Sequence, residues 1–427
     1  MIVSIETPVF KGVRLQRCID SVLAQSSPDY AFSLLWDGGD EQSRRILEDL
    51  DARKLPRVTV HFGENRGIAR ARRFLTEHSR GDFILPLDDD DALPFNAVER
   101  FLEVAAQKPW ASIIRAQRKI IDEDGNVLDT PAWFPFEPRK YQRGMVRDLM
   151  NHTQPYLMRR SAYDRTSGWE GFADFGFAGE DCDIYLKLEE QGTIELLDET
   201  LYYYRVHGQR QSLVLTNEAA FEMWRRLSDR TIERIGLPLK RSGDKPPYSY
   251  EPLSRPAPTV SETDVIVVQH AGSTSAARPV AIPEDSCASF AVVARGATAL
   301  NETLRRSSGP FVCLLGAEEG NGAPSFAELW ARMRDEDADL VWHSDQLALI
   351  RREVLRAVGG FDEGFEDVAS AMLDLSLSAR QRDFRCVFLP GRRGDERVYG
   401  AVPRSSLDDA RLRLKWANRP ELLSGLS

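Results

Sequence analysis

The sequence predicts an α/β protein with a mostly parallel central sheet, followed by a smaller, altered copy of the same design. Three observations carry that prediction. Short β-type runs alternate with segments of helical apolar spacing from the first residues onward, the pattern of a parallel sheet whose functional loops lie at strand C-terminal ends. The apolar run Phe83-Ile84-Leu85-Pro86-Leu87 leads into four consecutive aspartates, Asp88 to Asp91, so a buried strand delivers carboxylates to one edge. Finally, two stretches of the first half have weaker echoes in the second.

Val3 to Ile5 is a short β-type run ending at Thr7-Pro8, and Arg14 to Leu23 places Leu15, Ile19, Val22 and Leu23 at helical spacing. A strand, Phe32 to Trp36, then runs into Asp37-Gly38-Gly39. Ser43 to Leu50 has a helical pattern, Val58 to Val60 is a strand, and Ile68 to His78 is a helix before the strand that ends in aspartates. Asn96 to Ala106 reads as a helix, Ser112 to Ile121 as a strand and Asp122 to Asn126 as a hairpin turn. Asp37 and the aspartate cluster are therefore expected on one sheet edge.

The echoes pair Arg66 through Asp91 with Arg295 through Glu319, and Leu157 through Leu186 with Leu349 through Leu377. With a one-residue gap, Asp88 falls on Gly316 and Asp90 on Glu318, while Arg72 falls on Asn301 and Glu180-Asp181 on Ala371-Met372. The copy keeps core positions and loses acids. Between the halves lies a proline-rich stretch with Pro246-Pro247, Pro252, Pro256 and Pro258. The expected organisation is a first domain over 1–235, a linker over 236–262 and a non-catalytic copy over 263–427. Val265 to Val268 is expected to match the second strand of the first domain, leaving the copy without a first strand.

A length of 427 residues favours two cores over one. With 42% hydrophobic and 29% charged residues, the composition is that of a soluble globular protein. A net charge of −10 argues against general affinity for nucleic acid or for an anionic membrane. The five cysteines form no CxxC pair, which favours reduced thiols and a cytoplasmic setting. No signal peptide or membrane-spanning run is expected, so any lipid-linked molecule would be met at the membrane surface, at its inner face, or through a partner.

Oxygen-rich clusters suit Mg²⁺ or Mn²⁺, and Mg²⁺ is usually held by one or two carboxylates together with substrate phosphates. An EF-hand is excluded, because Leu93 stands where its loop needs glycine. In order, Ser4 to Phe10, Trp36-Asp37-Gly38-Gly39, Asn65 to Arg72, Leu87 to Pro94, Gly179-Glu180-Asp181 and Tyr204-Arg205-Val206-His207 resemble a family 2 glycosyltransferase of GT-A fold. The resemblance covers roughly residues 1–215 and rests on the order and spacing of these elements.

That resemblance implies a nucleotide-sugar-binding sandwich, a Mn²⁺ or Mg²⁺ cofactor and inversion at the anomeric centre. It puts Thr7, Pro8 and Asp37 around the nucleobase with Arg72 alongside, and Asp88, Asp89 and Asp90 at the D-x-D motif. Asp88 and Asp89 would lie on the donor, with Asp90 and His207 on the metal. Asp181 would be the general base. The acceptor would be a glycan, a lipid-linked saccharide or another hydroxyl compound. Glu6, Trp36 and Arg73 depart from the family's usual residues near the nucleobase pocket, so a UDP-sugar is the default donor.

Each reading has a plainer rival. Glu180-Asp181 also suits a helix N-terminus, Asp37 a turn beside glycines, and His207 an ordinary paired histidine. Trp133, Trp169 and Tyr202 to Tyr204 suit a core as well as a sugar. At the level of the whole protein, a nucleotidyltransferase and a non-catalytic carbohydrate-binding scaffold are the alternatives. The copy would serve as a packing partner, an acceptor platform or the surface of a homodimer.

Overall fold

The computed structural model describes residues 1–12, 14–128, 145–146, 155–172, 179–207, 217–243, 248–253, 262–268, 290–294, 296–316, 326–344, 347–389, 406–417 and 419. The chain divides into two compact units, the first built mostly from residues up to Thr231 and the second mostly from those after it. No helix among the described residues is long and apolar enough to cross a membrane. Trp133 and Cys287 lie outside the described residues.

The first unit opens with β1 (Val3–Val9), α1 (Leu15–Leu23), β2 (Tyr30–Asp37), α2 (Glu41–Ala52), β3 (Val58–Gly63), α3 (Ile68–His78) and β4 (Phe83–Pro86). It continues with α4 (Ala97–Gln107), β5 (Ala111–Ile121), β7 (Tyr156–Arg159), α5 (Arg160–Tyr163), α6 (Glu180–Glu189) and β8 (Thr193–Arg205); β6 (Met145–Val146) belongs to the second unit. Most of α7 (Asn217–Ile235) closes the first unit. The seven strands lie in the order β3-β2-β1-β4-β7-β5-β8. All neighbours are parallel except β7, which is antiparallel to both β4 and β5. This is the mostly parallel α/β sheet that the alternation predicted.

Local chemistry explains the elements. Every residue of β1 is buried, as a central strand under helices requires. The apolar face of α1 puts Leu15, Cys18, Ile19 and Val22 into the core. Asp40 caps α2 by accepting the Ser43 N–H at 2.8 Å. At the end of β2, Gly38 has φ +69°, and a Cβ on Gly39 would overlap the Phe10 carbonyl. The glycines therefore let the loops after β1 and β2 meet.

Glu6 sits in the middle of β1, only 2% exposed. Its carboxylate accepts the Thr76 and Ser79 hydroxyls, both at 2.6 Å, and Arg160 lies 3.7 Å away. One buried acid thus ties β1 to the end of α3 and the start of α5.

The second unit carries β9 (Leu239–Arg241), β10 (Tyr248–Pro252), β11 (Thr263–Val268), β12 (Phe290–Ala294), α8 (Gly296–Arg306), β13 (Phe311–Gly316) and α9 (Phe326–Asp335). After these come β14 (Leu340–Ser344), β15 (Leu347–Arg351), α10 (Arg352–Val358), α11 (Val368–Gln381), β16 (Cys386–Phe388) and α12 (Ser406–Trp416). Part of the proline-rich stretch is therefore strand: β10 pairs with β9 and β6 in a small antiparallel sheet. Pro252 lies at the end of β10, where a missing N–H costs least.

Six strands form the larger sheet, in the order β12-β11-β13-β15-β14-β16. β11 is parallel to β13, and β15 runs antiparallel between β13 and β14. The same sequence of parallel and antiparallel neighbours appears in β2-β1-β4-β7-β5-β8. This corrects the expectation for Val265 to Val268, because β11 pairs directly with β13 as β1 pairs with β4. The copy has a strand at the first position. The sequence match looked at the residues after the strand, whereas position in a sheet is set by pairing.

Matched side-chain contacts extend the likeness. Arg160 donates to the carbonyls of Gly81 and Thr76 and to the Ser79 hydroxyl. Arg352 donates in the same way to Gly309, Leu304 and Ser307. Asn301 donates to the Phe361 carbonyl at 2.7 Å, the contact that Arg73 makes with the Trp169 carbonyl at the same distance. Asn301 thus stands in the place of Arg73, one position from the expected Arg72, and the buried Leu300 takes the Arg72 place.

Burial raises the Glu6 carboxyl from 4.5 to about 7, against the Ser79 and Thr76 hydrogen bonds and the Arg160 charge. A raised folded value means that the native chain holds the proton more tightly, so this contribution is complete at low pH and is lost as pH rises through about 7. Glu6→Gln should remove that slope, at most about 1.4 kcal/mol per pH unit. Urea unfolding of both proteins at about pH 5 and about pH 8 checks it, with the variant gaining on the wild type at the higher pH.

Candidate active site

The aspartate run turns sharply after β4, with the Asp91 N–H donating to the Asp88 carbonyl at 3.2 Å. Each carboxylate then takes a different partner. Asp88 Oδ1 accepts Arg72 Nη2 at 2.7 Å, and Asp89 Oδ2 accepts the Phe10 N–H at 3.2 Å. Asp90 Oδ2 lies 2.7 Å from His207 Nε2, and Asp91 Oδ1 accepts the Arg205 N–H at 2.7 Å. The turn is therefore held by α3, by the loop after β1 and by the end of β8. Arg205 adds a bond from Nε to the Asp90 carbonyl and reaches the Asp122 carbonyl in the hairpin after β5.

Crowding four acids has an electrostatic consequence. Burial and the Asp90 charge push Asp89 up to about 8, and burial followed by the neighbouring acids raises Asp90 and Asp91 as well. A cation would relieve that repulsion. Asp90 and His207, the two residues that the resemblance assigned to a metal, lie against each other here, Oδ2 to Nε2 at 2.7 Å. Among the described residues, no set of three or more His, Cys, Asp or Glu side chains converges on a common metal position. A two-ligand arrangement fits Mg²⁺ or Mn²⁺ completed by diphosphate oxygens and water, and it does not fit a structural metal with an all-protein shell.

Arg72 is 4% exposed and joins two parts of the site. Besides Asp88, its Nε lies 3.3 Å from Glu180 Oε1, and its guanidinium carbon sits 5.3 Å from the centre of the Trp169 ring. Its Nη1 is buried without a hydrogen-bond partner among the described residues. The resemblance had placed Arg72 beside the nucleobase; its ion-pair partners are Asp88 and Glu180.

Gly179, at φ +85°, begins α6, and a Cβ there would press on Met223 of α7. Glu180, Asp181 and Asp183 then fill the first turn, where acids complement the helix dipole. Asp181 Oδ1 accepts the N–H of its neighbour Cys182 at 2.7 Å, and the acids lie at the helix N-terminus as that plainer reading had it. Burial raises Asp181, and burial with the Asp181 charge pushes Glu180 up to about 8.

Asp37 is 4% exposed and accepts the Arg66 N–H at 3.0 Å, which fixes the entry to α3. Thr7 and Pro8 lie buried within β1, paired with Leu34 and Leu35 of β2. Trp169 and Tyr202 belong to the core rather than to an open sugar face. Sequence reasoning did not single out Tyr156, whose buried hydroxyl has no hydrogen-bond partner among the described residues and feels Asp181, Arg72, Glu180 and Asp88. A tyrosine in an apolar strand carries no sequence signal of that kind.

Residues 4–167 match the family model described as Glycosyl transferase family 2, and this part of the chain belongs to that family. Among characterised relatives, chondroitin synthase from Escherichia coli is 27% identical over 257 residues, 59% of this chain and 34% of its own. Hyaluronan synthase from Pasteurella multocida is 28% identical over 214 residues, 50% of this chain and 21% of its own. The chain thus spans about a third or less of the length of these relatives. Among solved structures, S. aureus TarS 1–349 matches at TM-score 0.42 and 17% identity, covering 54% of this chain and 66% of TarS 1–349.

Removing the Arg72 charge leaves buried Glu180 and half-buried Asp88 without their counter-ion. Arg72→Met should lower the unfolding free energy by about 3 to 5 kcal/mol. Adding Glu180→Gln should restore part of the loss, a recovery that denaturant titration of the single and double variants can check.

Proposed function

We propose that the first unit transfers a sugar from a nucleotide-sugar donor, a UDP-sugar by default, to a hydroxyl of a saccharide acceptor, with inversion at the anomeric carbon. The observation that carries this reading is the meeting of the Asp90–His207 pair and the Arg72–Asp88–Glu180 bridge at one sheet edge. The family of residues 4–167 supports the reaction class. The relatives named as synthases of chondroitin and hyaluronan support a polysaccharide product.

In the proposed step the acceptor oxygen attacks the anomeric carbon from the face opposite the departing diphosphate. The new carbon–oxygen bond forms as the bond to the leaving phosphate oxygen breaks, and the hydroxyl proton passes to Asp181. Asp90 and His207 would hold a divalent cation, which supplies Lewis acidity to the leaving diphosphate. Asp88, steadied by Arg72, would face the donor with Asp89, while Asp37, Thr7 and Pro8 border the nucleobase.

The second unit is proposed to be a non-catalytic copy. Its strand pairing and its Arg352 contacts support common design with the first unit. Gly316 in place of Asp88, and buried Met372 in place of Asp181, support the loss of chemistry.

Asp181→Asn should lower turnover by about 10²- to 10⁴-fold while donor binding is retained. Release of nucleoside diphosphate from a panel of nucleotide sugars, with oligosaccharide acceptors present, reads this directly. Wild-type turnover in the variant would remove Asp181 from the mechanism.

A further inference from the structure

A cavity of about 430 Å³ lies between the outer face of α3 and the loop at residues 169–171. Arg66, Arg70 and Arg73 line one side of it, with Phe74 beside them and Glu170 and Gly171 opposite. Three guanidinium groups in one cavity are notable in a chain whose net charge is −10.

The lining carries three arginines against two acids, Glu77 and Glu170. α3 has no acid in its first turn, and Arg70 falls within that turn. Cations there oppose the helix dipole, and a bound anion would reverse the sign of that contribution. The Arg66 side chain has no ion pair or hydrogen bond among the described residues. Glu170 only partly offsets the wall: its Oε1 pairs with Arg73 Nη2 at 4.0 Å, while its Oε2 is shared with buried Lys187 at 2.7 Å, whose bond and charge keep its carboxyl below the usual range despite partial burial. Glu77 bounds the cavity as well and leaves an excess of positive charge.

The cavity is also preorganised. Arg73 donates from Nε and Nη2 to the Trp169 carbonyl at 3.1 and 2.7 Å, and from Nη2 to the Ser167 carbonyl at 2.9 Å. Trp169 is fixed in turn by its Nε1 bond to Thr76 at 3.0 Å. Phe74 adds an apolar wall, its ring held by stacking on His78 with centroids 4.0 Å apart. Trp169 is the partition: its carbonyl belongs to Arg73 and the cavity, while its ring lies against Arg72, which faces Asp88 and Glu180.

We propose that this cavity is a subsite for an anionic group, a carboxylate or phosphate, carried by the saccharide acceptor. It would hold a unit of the chain away from the sugar that receives the transfer. This deepens the transferase reading and rests on it for the word acceptor.

The test is calorimetric titration of the full chain with three probes: a hexasaccharide alternating glucuronate and N-acetylglucosamine, glucose 6-phosphate, and a neutral N-acetylglucosamine hexasaccharide. At least one anionic probe should bind about 10-fold more tightly than the neutral one and weaken with added salt. Arg70→Glu should weaken that binding by about 10-fold or more, with Arg66→Gln as a second variant acting in the same direction. Preference for the hexasaccharide assigns the charge to a uronate, and preference for glucose 6-phosphate to a phosphate. Equal binding of the neutral probe, or unchanged affinity in both variants, overturns the proposal. A parallel titration with UDP separates the two claims. If UDP binds and neither anionic probe does, the cavity proposal fails alone; if an anionic probe binds and no nucleotide does, the transferase reading fails and the anion site stands.

Discussion

The first unit depends on keeping six carboxylates, Asp88 to Asp91, Glu180 and Asp181, at one edge of a sheet without letting them repel one another out of place. Arg72 is the central answer, a buried guanidinium that reaches Asp88 on one side and Glu180 on the other. The Phe10 N–H, His207 and the Arg205 N–H divide the rest of the aspartate turn among them. Breaking such a pair costs more than the pair contributes, because the remaining charge stays buried. This constraint explains why α3, α6 and the end of β8 must all arrive at the same place. Asp89 and Glu180 stay raised even with these partners, each to about 8.

The second unit shows which parts of the design carry the fold and which carry the chemistry. Arg160 and Arg352 make the same set of backbone and serine contacts, so that arginine belongs to the scaffold. A second shared feature is a buried cation between two acids. In the first unit Lys187 of α6 meets Glu170 and Asp183. In the second, Lys415 of α12 meets Asp362 and Asp374, which also accepts the Trp416 indole N–H. The charge pattern persists while the ammonium comes from a different helix, as expected where electrostatic balance matters more than the identity of its source. Ile266 is paired with β13 where Glu6 is paired with β4, and Asp264 takes over the ion pair to Arg352.

Much of this was legible in the sequence. The β-α alternation located the elements of the first unit, with small differences at ends such as Ser43 against Glu41 for α2. The motif order brought out Asp88, Asp90, Asp181 and His207, and the structure puts Asp90 against His207. What stayed hidden shares one physical cause, which is that it depends on pairing between distant segments. Arg72 finds Glu180 across 108 residues, and Glu6 finds Ser79 across 73. The sheet position of β11 follows from its register against β13, which no local pattern encodes. The strands β9 and β10 are the exception: their pairing uses neighbouring residues, and the prolines around it obscured the pattern.

The central claim is that the Asp90–His207 edge binds a nucleoside diphosphate through a divalent cation. The most direct measurement is calorimetry of UDP binding to the full chain with Mn²⁺ and with a chelator, in the wild type and in Asp90→Ala. The account predicts binding that requires the cation and is lost in the variant. Binding that persists with chelator, and equally in Asp90→Ala, would contradict it.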